Sequence, residues 1–399
     1  MLNKVLSKFY KIPYLVPYWD TNETGILKNC FFENSLVEGS HSEKLVKMLN
    51  NKTNLYSYPT NLGRSAIQLA LGQIPKDGRK EVLISSFNCS GVVQPIVQAG
   101  YIPVFIDVGI DFNISIDGIR NNYTSNTIAV IVPGLFGKSP HWKEIKTFCK
   151  EKNIFVIDDA AQYLGLDGAG TNGDFGIFSF ALGKPVESIY GGVLLSKKKY
   201  SFELKNKTYA NVLSDSMAAL FRGKYRKYTL PYFAIKDGLK RKLLKNSFSF
   251  DVFNIPNVSS GITIEQFKKL DKMVKLRQRN AKILLDGLSN IDELTLPEFS
   301  KDHAFLKFVV SLKKAKQSKA PNRSTDLIKF VNALASKGIE TEWVYLPLHL
   351  REPYTNYRTT DLTVTNNIWK CSVSLPNRPG LSEENMIDIA THIKKSVIK

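Results

Sequence analysis

Cysteine is scarce in this sequence, and the four present (Cys30, Cys89, Cys149 and Cys371) stand apart, with no CxxC pair and no histidine at ligand spacing. That excludes a disulfide framework and a zinc site, and it fits a reducing cytoplasm. The five histidines are equally dispersed, so no metal site is legible. No apolar run approaches the roughly 20 residues that a membrane helix needs. The N-terminal MLNKVLSKFYKIPYLVPYWD is basic, but it lacks an uninterrupted apolar segment and a cleavage site, so it does not read as a signal peptide. Acidic residues are also short, 36 against 55 Lys and Arg.

What is present is a globular composition, 43% hydrophobic and 23% charged over 399 residues. That length exceeds one ordinary core and predicts a large domain with a smaller companion. Residues 81–180 alternate apolar strands with short helices. EVLISSF (81–87), YIPVFIDV (101–108), IAVIVPGLFG (128–137), IFVIDDA (154–160) and FGIFSFA (175–181) read as strands; 91–100 and 141–152 read as helices. Strands apolar throughout, separated by helices, imply a parallel sheet covered on both faces, with ligands at the strands' carboxyl ends. The fold class expected is α/β. From 262 a long amphipathic, basic helix begins. Strand-like segments, the helix 325–339 and a closing helix from Ser382 follow it. The division expected is 1–290, an N-terminal segment plus the large α/β domain, and 291–399, a smaller α+β domain.

Lys184 lies in 176-GIFSFALGKPVESIYGG-192, in a turn between two apolar runs, with Gly183 before it and Pro185 after it. A solvated loop lysine is the ordinary reading, and other strand ends bear against it. VIDDAAQ (156–162) sets Asp158 and Asp159 at a strand exit, where Asp also serves as a helix N-cap. YPTNLGRSAIQLALGQI (58–74) is a polar turn opening an apolar helix, whose free N–H groups and dipole suit a phosphate. SSFNCS (85–90) sets Phe87 just before another helix. A lysine able to form a Schiff base, an acid for a pyridine nitrogen, a flat apolar ring and a helix terminus for phosphate together describe a pyridoxal 5′-phosphate (PLP) site.

These motifs resemble the DegT/StrS-type sugar aminotransferases, PLP enzymes of fold type I, from about residue 12 to the C-terminus. The family's phosphate turn is similar to Gly63-Arg64-Ser65-Ala66-Ile67, and its Thr-Phe motif to Ser86-Phe87. Its Asp-Ala-Ala-Gln/His motif matches Asp159-Ala160-Ala161-Gln162, and its Ser-Phe followed by Lys matches Ser179-Phe180 and Lys184. The resemblance implies Lys184 as cofactor lysine and catalytic base. It implies Asp159 on the pyridine nitrogen, Gln162 on the 3′-oxygen side, and Phe87 over the ring. Gly63, Arg64, Ser65 and Ser179 would surround the phosphate. Tyr345 and His349, in 345-YLPLHL-350, stand as substrate-side residues by resemblance alone. It also implies a homodimer with the site at the subunit interface, an amino-acid donor such as L-glutamate, and a keto-sugar acceptor.

Three departures stand out. Arg64 replaces the family's Thr, and Tyr190-Gly191-Gly192 replaces Gly-Glu-Gly-Gly. The Gly-Tyr-Asn-Tyr-Arg-Met motif, whose Asn reaches the neighbour's phosphate, is missing; Asn254 and Asn257 are the candidates left. Residues 197–245 carry 14 Lys or Arg against 3 Asp or Glu, within an expected insertion over 197–250. It reads either as a solvated helical insertion or as a contact with an anionic partner, nucleotide phosphates or acidic lipid headgroups at the membrane's inner face. Nucleic acid is not expected, since no motif for it accompanies the charge. The rivals are a PLP-dependent sugar dehydratase, in which His replaces the lysine, and a non-catalytic binder using the basic insertion.

Overall fold

The computed structural model describes residues 10–224, 250–313 and 322–397. Its centre is a sheet of seven strands, β1 (Tyr56–Thr60), β2 (Glu81–Ser85), β3 (Ile102–Ile106), β4 (Thr127–Pro133), β5 (Phe155–Asp159), β6 (Phe175–Ser179) and β7 (Gly192–Ser196), in the order β1-β7-β6-β5-β4-β2-β3. From β3 to β6 all neighbours are parallel; β7 runs antiparallel to both β6 and β1. The mostly parallel α/β layer expected from the apolar runs is therefore present. Each strand is shorter than its apolar run, because the run continues into the buried loop at the strand's exit.

Strand periodicity divides the side chains between two faces. Val82, Ile84, Ile131, Ile157 and Ile177 pack beneath the helix Gly63–Gly72, while Leu83, Val130, Val132 and Val156 pack with Ile145 and Cys149 of the helix Trp142–Glu151. β1 escaped the sequence reading because Tyr56–Thr60 carries Pro59. A proline is tolerated there because β1 is an edge strand. The helices Thr21–Phe32 and His41–Thr53 were likewise not expected.

The long helix runs Asn257–Leu288, five residues earlier than expected, because Pro256 precedes its first turn. Phe267, Leu270, Met273 and Val274 pack on the large-sheet side, and Ala281, Leu284 and Leu288 join the second core. That core covers an antiparallel sheet of β8 (Leu294–Thr295), β9 (Phe308–Leu312), β10 (Glu342–Trp343) and β11 (Ser372–Leu375), ordered β10-β11-β9-β8. The N-terminal segment belongs to it as well: Ile12 bridges to Ile339, and the Tyr14 hydroxyl meets Ser374 Oγ at 2.7 Å. The expected boundary at 290 falls at the helix's end, while the two cores change over inside the helix. Among the described residues no helix is long and apolar enough to cross a membrane. Of the basic stretch, Tyr209–Lys224 is helical, and 225–249 lie outside the described residues.

One contact fixes the helix Gly63–Gly72 to the sheet. A Cβ on Gly192 would lie 2.3 Å from the carbonyl carbon of Leu62 and 2.4 Å from the Gly63 nitrogen, both backbone atoms. Gly192→Ala therefore has to push the helix terminus off β7. The expected cost is about 1–3 kcal/mol, read as a lower urea midpoint at unchanged m-value; an unshifted midpoint would show that the contact is slack.

Candidate active site

Lys184 follows the exit of β6 in a turn that has to reverse the chain sharply. Gly183 adopts φ +83°, in the left-handed region that favours glycine. Its N–H donates to Glu187 Oε1 at 2.7 Å, Lys184 N–H donates to Ala181 O at 3.1 Å, and Ser188 N–H to Phe180 O at 2.7 Å. The Glu187 carboxylate is buried, and its Oε2 accepts from Tyr18 N–H at 3.3 Å. Burial pushes the Glu187 carboxyl up to about 7 against the pull of those donors and Arg277. This turn projects Lys184 into a cavity of about 160 Å³ whose walls come from both sheets and the long helix.

Asp159 ends β5 opposite Ile177 of β6 and shares the face of Ile157. It is buried, and Oδ1 accepts from Ala161 N–H at 3.2 Å. Burial raises its pKa, and the Lys184 charge draws it back down. Reciprocally, burial lowers the pKa of Lys184, while Cys89 and Asp159 raise it. The two feel each other's charge, yet no ion pair forms between them among the described residues. Asp158, one residue earlier, points to the other face. It accepts from the Tyr163 hydroxyl and from Asn172 N–H and Nδ2 at 3.1 and 3.2 Å, so it is consumed by the core.

The helix Gly63–Gly72 starts with no side-chain cap. A Cβ on Gly63 would sit 2.9 Å from Ser179 Cβ, so only glycine lets this terminus approach the β6 exit. The Ser179 hydroxyl is nearly buried and has no hydrogen-bond partner among the described residues. An uncapped helix terminus beside an unused hydroxyl fits a phosphate, and Asp159, facing Lys184 from a buried position, fits a protonated ring nitrogen. The residues present therefore fit PLP. Ser65 turns inward instead, donating to Asn61 Oδ1 at 2.8 Å, and Arg64 reaches Gln94 and lies 5.8 Å from the Phe250 ring.

An aromatic wall closes one side. Gln162 accepts from Phe136 N–H at 3.1 Å and donates to the Tyr345 hydroxyl at 3.2 Å; Tyr345 stacks on Phe136. Phe87 is fully covered, with Phe112, Phe136 and Tyr345 around it, so in this packing it supports the wall and offers no open ring face. His349 does not line the cavity. Its Nδ1 meets Ser86 Oγ at 2.7 Å and its Nε2 meets Asn366 Oδ1 at 3.1 Å, which anchors the β2 exit. Asn254 donates both amide hydrogens within its own chain, to Leu204 O and Asn206 Oδ1. Asn257 holds His41 N–H and Ser35 O.

Sequence reasoning missed Tyr14, Glu187, Arg277, Lys307 and Glu342, all of which line the cavity. Glu187, three residues after Lys184 and within the quoted stretch, is the one that local spacing could have flagged. The others come from distant segments and carry no local pattern.

The sequence pattern of the DegT/DnrJ/EryC1/StrS aminotransferase family matches residues 19–394. GDP-perosamine synthase of Escherichia coli O157:H7 is 22% identical over 369 residues, 91% of this chain and 88% of the relative. Among solved structures, Helicobacter pylori PseC, an aminotransferase involved in the biosynthesis of pseudoaminic acid, superposes with a TM-score of 0.77 at 17% identity, covering 97% of this chain and 99% of that one. The GDP-4-keto-6-deoxy-D-mannose-3-dehydratase of E. coli, solved with hydrated PLP, gives 0.74 at 18% identity, covering 97% and 99%. At such identities the superpositions speak to the fold.

The electrostatics give a signed pH prediction. A depressed pKa means that Lys184 becomes a neutral nucleophile at lower pH than an exposed lysine does. Its labelling by an amine reagent, followed by mass spectrometry, should therefore have a midpoint below that of a lysine in a free peptide. Asp159→Asn removes a negative charge that raises the Lys184 pKa, so the midpoint should fall further. A midpoint unmoved by that substitution would show that the two groups are uncoupled.

Proposed function

The chain belongs to the DegT/DnrJ/EryC1/StrS aminotransferase family, and on that premise we propose that it moves an amino group from an amino acid, with L-glutamate the favoured donor, onto a nucleotide-linked keto-sugar. As a family member it is a PLP-dependent aminotransferase of amino-sugar biosynthesis. The observation that carries the reading is Lys184 set within reach of the buried Asp159 charge, each shifting the other's pKa without an ion pair between them among the described residues.

Bound there, PLP supplies a protonated pyridine ring that takes up the electron pair left when a proton departs from carbon. The chain's own work is positional and acid–base. The uncapped terminus of Gly63–Gly72 and the Ser179 hydroxyl would hold the phosphate, and Asp159 would keep the ring nitrogen protonated. Gln162 and Tyr345 would orient the ring's oxygen edge, while Phe87 supports that wall from behind. Lys184 Nζ would accept and return the proton, and its depressed pKa favours the neutral, proton-accepting amine relative to an exposed lysine. Arg64 and Ser65 enter this reading only as supports of the helix terminus, and His349 as the anchor of the β2 exit. A homodimer sharing its sites belongs to the reading, and it does not depend on Asn254. Peripheral membrane contact through 197–245 remains a separate proposal resting on charge alone. A dehydratase is the second reading on this fold; Lys184, where the dehydratases carry His, favours amino transfer.

Spectroscopy tests this directly. Wild type loaded with PLP should show the visible band of lysine-bound cofactor, and L-glutamate should convert it to the pyridoxamine form. Lys184→Ala should lose that band and slow conversion by at least ~100-fold. Asp159→Asn should keep the band and slow conversion by ~100-fold or more, because the charge facing the ring is gone. A wild type without the band would overturn the catalytic reading.

A further inference from the structure

Apart from Lys184, each charged side chain in the cavity wall except one has work to do. Glu187 holds Gly183 and Tyr18 N–H groups, Lys307 pairs with Glu342, and Arg378 donates to Pro13 O at 3.1 Å. Arg277 is the exception. It is 6% exposed and lines the same cavity as Lys184, yet it makes no hydrogen bond and no ion pair among the described residues. Its electrostatic partners are Glu187, whose two oxygens are already engaged, and Tyr14, a neutral phenol whose pKa burial raises further. A buried guanidinium costs folding energy unless an anion meets it, because its charge has left water and its five N–H donors have no acceptor. Burial moves Arg277 only to about 10, so it stays charged at neutral pH.

We propose that Arg277 is the receptor for a carboxylate of the amino donor, a specificity-determining residue for the transfer. This rests on the aminotransferase reading above. The donor has to bring its amino nitrogen to Lys184 while its carboxylate meets a cation within the same small space. Lys184 and Arg277 line the same cavity of about 160 Å³, so one small molecule can face both. A guanidinium fork also matches a carboxylate with two parallel hydrogen bonds, which a point charge cannot do. The position is rigid: Arg277 sits on the long helix between Val274 of one core and Ala281 of the other, so packing from both sheets holds it.

The test uses PLP-loaded wild type, Arg277→Gln and Arg277→Lys, titrated with L-glutamate through the visible band. Succinate serves as an unreactive dicarboxylate competitor, and UDP as a phosphate probe. Expected are an unchanged band in both variants and a glutamate half-saturation raised about 10- to 100-fold in Arg277→Gln. Arg277→Lys should fall between, and succinate competition should disappear with the guanidinium. If Arg277→Gln fails to fold, Arg277→Lys decides, since it keeps charge and approximate length but not the fork. Glutamate half-saturation equal to wild type in the folded variants overturns the proposal. So does UDP binding that depends on Arg277 while glutamate's does not, which would assign the guanidinium to a phosphate. A wild type without the band sinks the underlying reading instead, so the two failures are distinguishable.

Discussion

A partly buried amine and a buried carboxylate feel each other's charge here without forming an ion pair, and much of the surrounding structure serves to keep them so. Left to themselves Lys184 and Asp159 would collapse into an ion pair, the cheapest way to satisfy two charges taken out of water. The fold prevents that by fixing both ends. Asp159 is the last residue of a central strand, locked in register between β4 and β6. Lys184 rides on a turn whose tightest point, Gly183, is clamped by the buried Glu187 carboxylate, and Glu187 N–H is itself held by Gln266 of the long helix at 3.4 Å.

That helix is the second half of the constraint. Gln266 Nε2 donates to the fully buried Glu23 at 2.7 Å and to Tyr18 O at 2.9 Å, and Lys269 pairs with Glu23. The N-terminal segment is thereby bound to the same helix that carries Arg277. Tyr14 and Tyr18 enter the cavity wall from this segment, and Lys307 and Tyr345 enter from the smaller sheet and its loops. The cavity is therefore a junction of chain segments far apart in sequence. A shift of either sheet along the helix would change it before it changed either core.

How much of this could be read from the sequence follows from how local each feature is. The parallel sheet was legible because fully buried strands are apolar on both faces, and short helices between them repeat that texture. The lysine, the aspartate and the helix terminus were legible because each is a strand-end motif of five or six residues. The edge strand holding Pro59, the two N-terminal helices and the short strands of the second sheet were not. Their residues are amphipathic or turn-like alone and gain their structure from partners elsewhere, as Tyr56–Thr60 gains it from β7. His349 and Asn254 illustrate the same limit at the site. The family resemblance suggested substrate and phosphate contacts, whereas their hydrogen bonds go to Ser86, Asn366, Leu204 and Asn206, none of which lies near them in sequence.

The adjacent pair Asp158-Asp159 shows where elementary geometry can separate what composition cannot. Both carboxylates are buried at the end of one strand, and burial raises both pKa values. Side chains alternate across a strand, so one must face the helix Gly63–Gly72 and the other the opposite layer. Ile157 lies under that helix, hence Asp159 does too, while Asp158 follows Val156 to the far side. There Tyr163 and Asn172 supply Asp158 with three donors. Asp159 has one backbone donor and the charge of Lys184 nearby. A carboxylate saturated by its own core cannot serve a ligand, and one left with a free oxygen in a closed space has been kept for one. The same distinction, applied to cations on the long helix, separates Lys269, spent on Glu23, from Arg277.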